Sequence, residues 1–109
     1  MTHFLDGPAA GKNLMLKRTP IFLRAVVDEA GKWDALNELG DKPLAGETCY
    51  AYRTPGPRGT AHVNMGRKGG GFYPITDYTL VPEQPSQEVM RDEAAWAEWC
   101  QETFDSTST

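Results

Sequence analysis

The stretch from Gly46 to Val81, GETCYAYRTPGPRGTAHVNMGRKGGGFYPITDYTLV, most constrains what this chain can fold into. It holds seven of the eleven glycines, and between its turns it alternates apolar and polar residues. Thr48, Tyr50 and Tyr52 fall on one side of a predicted strand, opposite Cys49, Ala51 and Arg53. After the Pro- and Gly-punctuated loop 54–59 the alternation resumes. Ala61, Val63 and Met65 point inward and Thr60, His62 and Asn64 outward, so the two runs read as a hairpin with a long connection. GRKGGG at 66–71 is a second connection. Residues 72–81 read as a last strand, which Pro74, lacking an N–H, assigns to a sheet edge. No carboxylate lies between Glu47 and Asp77, whereas Arg53, Arg58, His62, Arg67 and Lys68 do. The stretch is β-rich and locally cationic, which favours a binding surface over an active site.

The flanking sequence completes the expected fold. FLDGP at 4–8 is an apolar pair running into a tight turn. Asn13 to Lys17 is a short strand candidate. In 21–28, Ile21, Leu23, Ala25 and Val27 share one face and Phe22, Arg24, Val26 and Asp28 the other, as in an antiparallel sheet covered on one side. Trp33, Leu36 and Leu39 have i, i+3, i+6 spacing and predict a short 3₁₀ or α segment. Ser86 is an N-cap for a helix over 86–104, with Trp96 and Phe104 packed on the sheet and a polar tail, 105–109, that frays. Gly and Pro together make nineteen residues, too many for an all-helical chain of 109. The expectation is one α+β domain over 1–109. A β-rich core over 4–81 forms a small antiparallel sheet or partly closed barrel of about five strands, with one C-terminal helix.

Charge and processing signals narrow the setting. The net charge of −4 splits into +2 over residues 1–82 and −6 over 83–109. The N-terminus has neither a basic region nor an apolar core of a leader, and no apolar run approaches the roughly 18 residues of a membrane span. Cys49 and Cys100, without CxxC spacing, read as reduced thiols, and the expected location is cytoplasmic.

The series FLDGP at 4–8, TPIFLRAVVD at 19–28, GKWDALNELGDKP at 31–43, GETCYAYR at 46–53 and DEAAWAEWC at 92–100 resembles a family of small uncharacterised proteins of actinobacterial phages, prophages and their hosts. The resemblance covers Phe4 to about Cys100. It carries no activity, catalytic residue or cofactor. It implies a phage-type accessory protein acting in a bacterial host cytoplasm.

Catalytic patterns are sparse. GRKGGG is neither GxxxxGK[ST] nor a GxGxxG opening a helix, so the amide cradle and helix dipole of a phosphate loop are lacking. His3 and His62 are isolated, so no metal or other cofactor is expected. A Cys49, His62 and Asp77 constellation is conceivable across strands, but alternation sends His62 outward and Cys49 inward. The expected function is therefore non-enzymatic binding of a host macromolecule, foremost a host protein, through a sheet edge or the acidic helix. The alternative is nucleic acid, or a small nucleotide at a homo-oligomer seam. In either reading Arg53, Arg58, His62, Arg67 and Lys68 are the residues expected to make electrostatic contact, with Tyr52 and Tyr73 beside them; in the alternative the cations meet phosphates. The acidic overall balance weighs against this alternative.

Overall fold

The structure is a computed structural model that describes residues 1–37, 41–63 and 71–107. Seven strands are described: β1 (Thr2–Phe4), β2 (Asn13–Leu14), β3 (Phe22–Val27), β4 (Trp33–Leu36), β5 (Thr48–Arg53), β6 (Gly59–Val63) and β7 (Gly71–Leu80). Two helices follow, α1 (Gln87–Arg91) and α2 (Glu93–Thr107). The fold is α+β, as expected. The strands hydrogen-bond in the order β2-β1-β7-β5-β3-β4, with β6 also on β7. The sheet curls into a nearly closed barrel whose open seam separates β2 from β4. Residues from both ends of this path, Leu14 and Leu16 on one side and Trp33 and Ala35 on the other, pack with Phe4, Leu23, Tyr52 and Tyr78 in one interior core.

β7 is the hub of the sheet rather than its edge, correcting the reading of Pro74. One side of β7 takes β1 in parallel register, Thr2 opposite Thr76. The other side takes β6 over 71–75 and β5 at 79–80, both antiparallel. β5, the 54–58 loop and β6 thus run as one interrupted strand along β7. Thr76 donates to the Met1 carbonyl and the Tyr78 carbonyl accepts from Leu5, so even-numbered residues of β7 bond toward β1. By the same parity Pro74 faces that side, one step before the β1 ladder begins, where a missing N–H costs no ladder bond.

The sheet is covered on both faces, not one. Leu23 and Ala25 point into the barrel, whereas Phe22 and Val26 point outward to a second core with Cys49, Ala51, Val81, Met90 and Trp96 beneath the helices. Trp33–Leu36 is a strand, contrary to the helical spacing. Asp28 Oδ1 accepts from the amides of Ala30 and Lys32 and closes a hairpin that sets Trp33 opposite Val27. Trp33 then faces the first core and Leu36 the second, a period of two; Leu39 lies outside the described residues.

The C-terminal helix is two helices. Ser86 caps α1 as expected, accepting from the Val89 amide at 3.2 Å. Asp92 is extended and its carboxylate accepts from Ala94 and Ala95 at 3.0 and 3.2 Å, so one residue ends α1 and caps α2. α2 continues through Thr107, beyond the expected start of fraying at 105. At the barrel end the FLDGP turn closes over Tyr52. Gly7 has φ 71°, and a Cβ there would lie 2.8 Å from the Tyr52 hydroxyl, so only glycine fits.

Candidate binding surfaces

The central cationic stretch does not assemble into one face. Tyr52 is fully buried, and this corrects its assignment to a contact surface. Its hydroxyl donates to the Asp6 carbonyl and accepts from the Ala9 amide, both at 3.0 Å. Tyr73 is buried as well. Arg53 is exposed on the helix side, in a recess with Val81, Pro82, Glu83 and Trp99. Arg58 and His62 lie instead on the β6–β7 hairpin. There the Arg58 Nε meets the Asp77 carboxylate at 2.9 Å, which offsets the charge a phosphate would seek. The His62 ring sits 5.0 Å from that of Phe72, the most exposed large apolar side chain described, at 74 %. Arg67, Lys68, Asn64 and Met65 lie outside the described residues.

A different surface forms where α2 crosses the start of β3. Trp96 stacks on Trp99 at 5.1 Å, and Phe22 meets Trp99 edge-on at 5.3 Å. Phe22 and Trp96 make the floor of an open groove of about 430 Å³, while Trp99 lines the neighbouring recess that holds Arg53. Its walls are Pro20 and Ile21 on one side and Cys100, Gln101 and Phe104 on the other. Trp96 is buried as expected, but Ile21 and Phe104, both assigned to the core from sequence, stay 46 % and 45 % exposed. The strand begins only at Phe22, so Ile21 escapes the alternation that would have turned it inward.

Under this floor lies Arg24, a charge on the strand face that sequence alternation leaves undecided. It is buried, donates from Nη1 to the Met90 carbonyl at 2.8 Å, and holds its Cζ 5.3 Å from the centre of the Trp96 ring. Burial pulls its pKa below the ordinary arginine value. Two glutamines pin the same region. Gln87 Oε1 accepts from the Cys49 amide and its Nε2 donates to the Cys49 carbonyl. Gln84 does likewise to Ala51. Each primary amide supplies the donor and acceptor that a neighbouring strand would offer, on the side of β5 where β7 has not yet arrived. Arg91 reaches the carbonyls of Leu44 and Glu47. These contacts fix α1 to β5, and α2 is held against the sheet by Trp96 and by Trp99 on Phe22, so the groove is built on packed elements.

Neither cysteine is an activated nucleophile. Cys49 is fully buried and burial raises its pKa, with Arg91 and Arg24 opposing. Burial pushes the Cys100 thiol up to about 12. Both are free thiols, protonated at neutral pH. Cys49 faces the helix-side core while His62 is exposed on β6 and Asp77 is paired with Arg58. Among the described residues no three His, Cys, Asp or Glu side chains gather as a metal site, and no helix is long and apolar enough to cross a membrane. Comparison with protein-family models, with curated proteins and with solved structures finds no match for this chain.

Proposed function

We propose that this chain is a non-enzymatic binding protein that engages a host protein in a bacterial cytoplasm. Its service would be to a phage or prophage of the actinobacterial kind that its sequence resembles. The observation that carries the reading is the groove between β3 and α2, with an aromatic floor and with Ile21 and Phe104 nearly half exposed on its walls. Exposed apolar surface is costly in water, and the cost is offset when a partner covers it. Capture from an actinobacterial lysate, split into nuclease-treated and untreated halves, tests the reading. The expected result is a stoichiometric host protein that survives nuclease and is lost with Ile21→Asp, a substitution at an exposed position that leaves the melting temperature in place. Capture unchanged by Ile21→Asp would show that the partner does not sit in the groove.

The hairpin supports a second reading. Phe72 offers an open ring face beside His62, and unpaired bases stack on such rings. In that reading recovery from lysate disappears with nuclease and with Phe72→Ala, and the binding weakens steeply with salt.

A further inference from the structure

We infer that the groove receives a basic amphipathic helix of the host protein, seated with its apolar side between Ile21 and Phe104 and its lysines and arginines against the carboxylates of α2. This rests on the protein-binding reading and names the chemistry of the partner. α2 carries Glu93, Glu98, Glu102 and Asp105 and neither Lys nor Arg over its fifteen residues. Its last turn has no basic residue of its own, so the helix adds only negative charge at the negative end of its dipole. Ala97, Cys100, Gln101 and Phe104 turn toward the groove. At about 100° per residue the next positions outward are Glu98 and Asp105, which form the solvent-side rim. Asp105 is held there, accepting from Gln101 Nε2 at 3.1 Å.

The sign of this rim selects among occupants. Phosphates of nucleic acid and anionic lipid headgroups are repelled by it. A second copy of this chain would bring two acidic helices together, which like-charge repulsion disfavours. A helix with apolar residues at i, i+3 or i+4 and i+7 matches the length of wall that α2 provides between Trp96 and Phe104, and its basic flanks complement the rim. Gln84 and Gln87 already occupy the open side of β5, so strand addition at that edge is blocked.

Titration of the full chain with a synthetic Leu/Lys amphipathic peptide of about 18 residues, long enough to hold a helix on a surface, tests this against a Leu/Glu peptide of the same pattern. Tryptophan fluorescence reads the binding. The Leu/Lys peptide is expected to bind at least about tenfold more tightly than the Leu/Glu peptide and to weaken with added salt. Ile21→Asp is expected to abolish binding, and Glu98→Lys with Asp105→Lys, both at exposed positions, to reverse the preference between peptides. Equal binding of the two peptides, no binding of either, or a wild-type dimer in sedimentation that Ile21→Asp dissociates would each overturn the inference. Nuclease-resistant capture that still depends on Ile21 would then leave the protein-binding reading standing with a partner of other chemistry. Capture indifferent to Ile21 would end both.

Discussion

The Tyr52 hydroxyl joins Asp6 and Ala9 of the closing turn to β5, and the Asp6 carboxylate in turn accepts from the Leu80 amide at 2.6 Å. Tyr52→Phe leaves a buried amide and a carbonyl unpaired, so a loss of about 1–3 kcal/mol is expected in urea melts. A loss under about 0.5 kcal/mol would show that water replaces the phenol there. Burial also raises the pKa of both Tyr52 and Tyr78 above the ordinary phenol value of 10.0. The folded state then keeps its phenol protons where the unfolded state releases them. This contribution is complete below about pH 10 and is lost as pH rises beyond it. Tyrosinate absorbance should therefore show the Tyr52 and Tyr78 phenols ionising only with unfolding, and their titration in a folded chain would contradict the burial. Arg24 poses a related case, because its charge is held by one carbonyl and one ring face. Arg24→Ala is expected to cost about 2–4 kcal/mol through a cavity and an unpaired Met90 carbonyl. Arg24→Met, which keeps the stem beneath Trp96, should recover part of that.

At the scale of elements, the glutamines of the 84–87 segment do the work of a strand. Gln87→Ala strips the Cys49 amide and carbonyl of partners, and Gln84→Ala does so in part for Ala51, whose carbonyl also accepts from Val81. Each substitution is expected to cost about 1–2 kcal/mol and to speed exchange of the Cys49 and Ala51 amides in particular. Unchanged exchange at those two amides would mean that the edge is protected by burial alone. The elements were unevenly legible beforehand. β3, β5 and β6 followed from two-residue alternation and the Ser86 cap from local chemistry. β1 did not, because three residues carry no period and its partner β7 lies at the far end of the chain. β4 was misread because Trp33 and Leu36, three apart, serve opposite cores, which spacing on one strand cannot reveal. The break at Asp92 needed its carboxylate to be seen capping, since an aspartate inside a helical pattern otherwise reads as a solvent-facing charge.

At the scale of the molecule, a curled sheet encloses one core and turns its outer face to the two helices. This places β5's two sides in different environments and disperses the cationic residues that lie close in sequence. Arg53 goes to the helix side, Arg58 and His62 to the hairpin, and Tyr52 to the interior. Linear clustering overestimated their convergence, because alternation sends Tyr52 and Arg53 to opposite faces of one strand and the 54–58 loop carries Arg58 and His62 further along β7. The acidity of 83–109 and the aromatic content of α2 were legible. The groove was not, since it depends on Ile21 falling one residue ahead of β3 and on where α2 crosses it. Whether this groove is the contact surface is read by a nuclear magnetic resonance footprint of the captured partner on the isotope-labelled chain. Shifts are expected at Ile21, Gln101 and Phe104 and at the Trp96 indole. Shifts confined to the β6–β7 hairpin around His62 and Phe72, with α2 unmoved, would contradict contact at the groove.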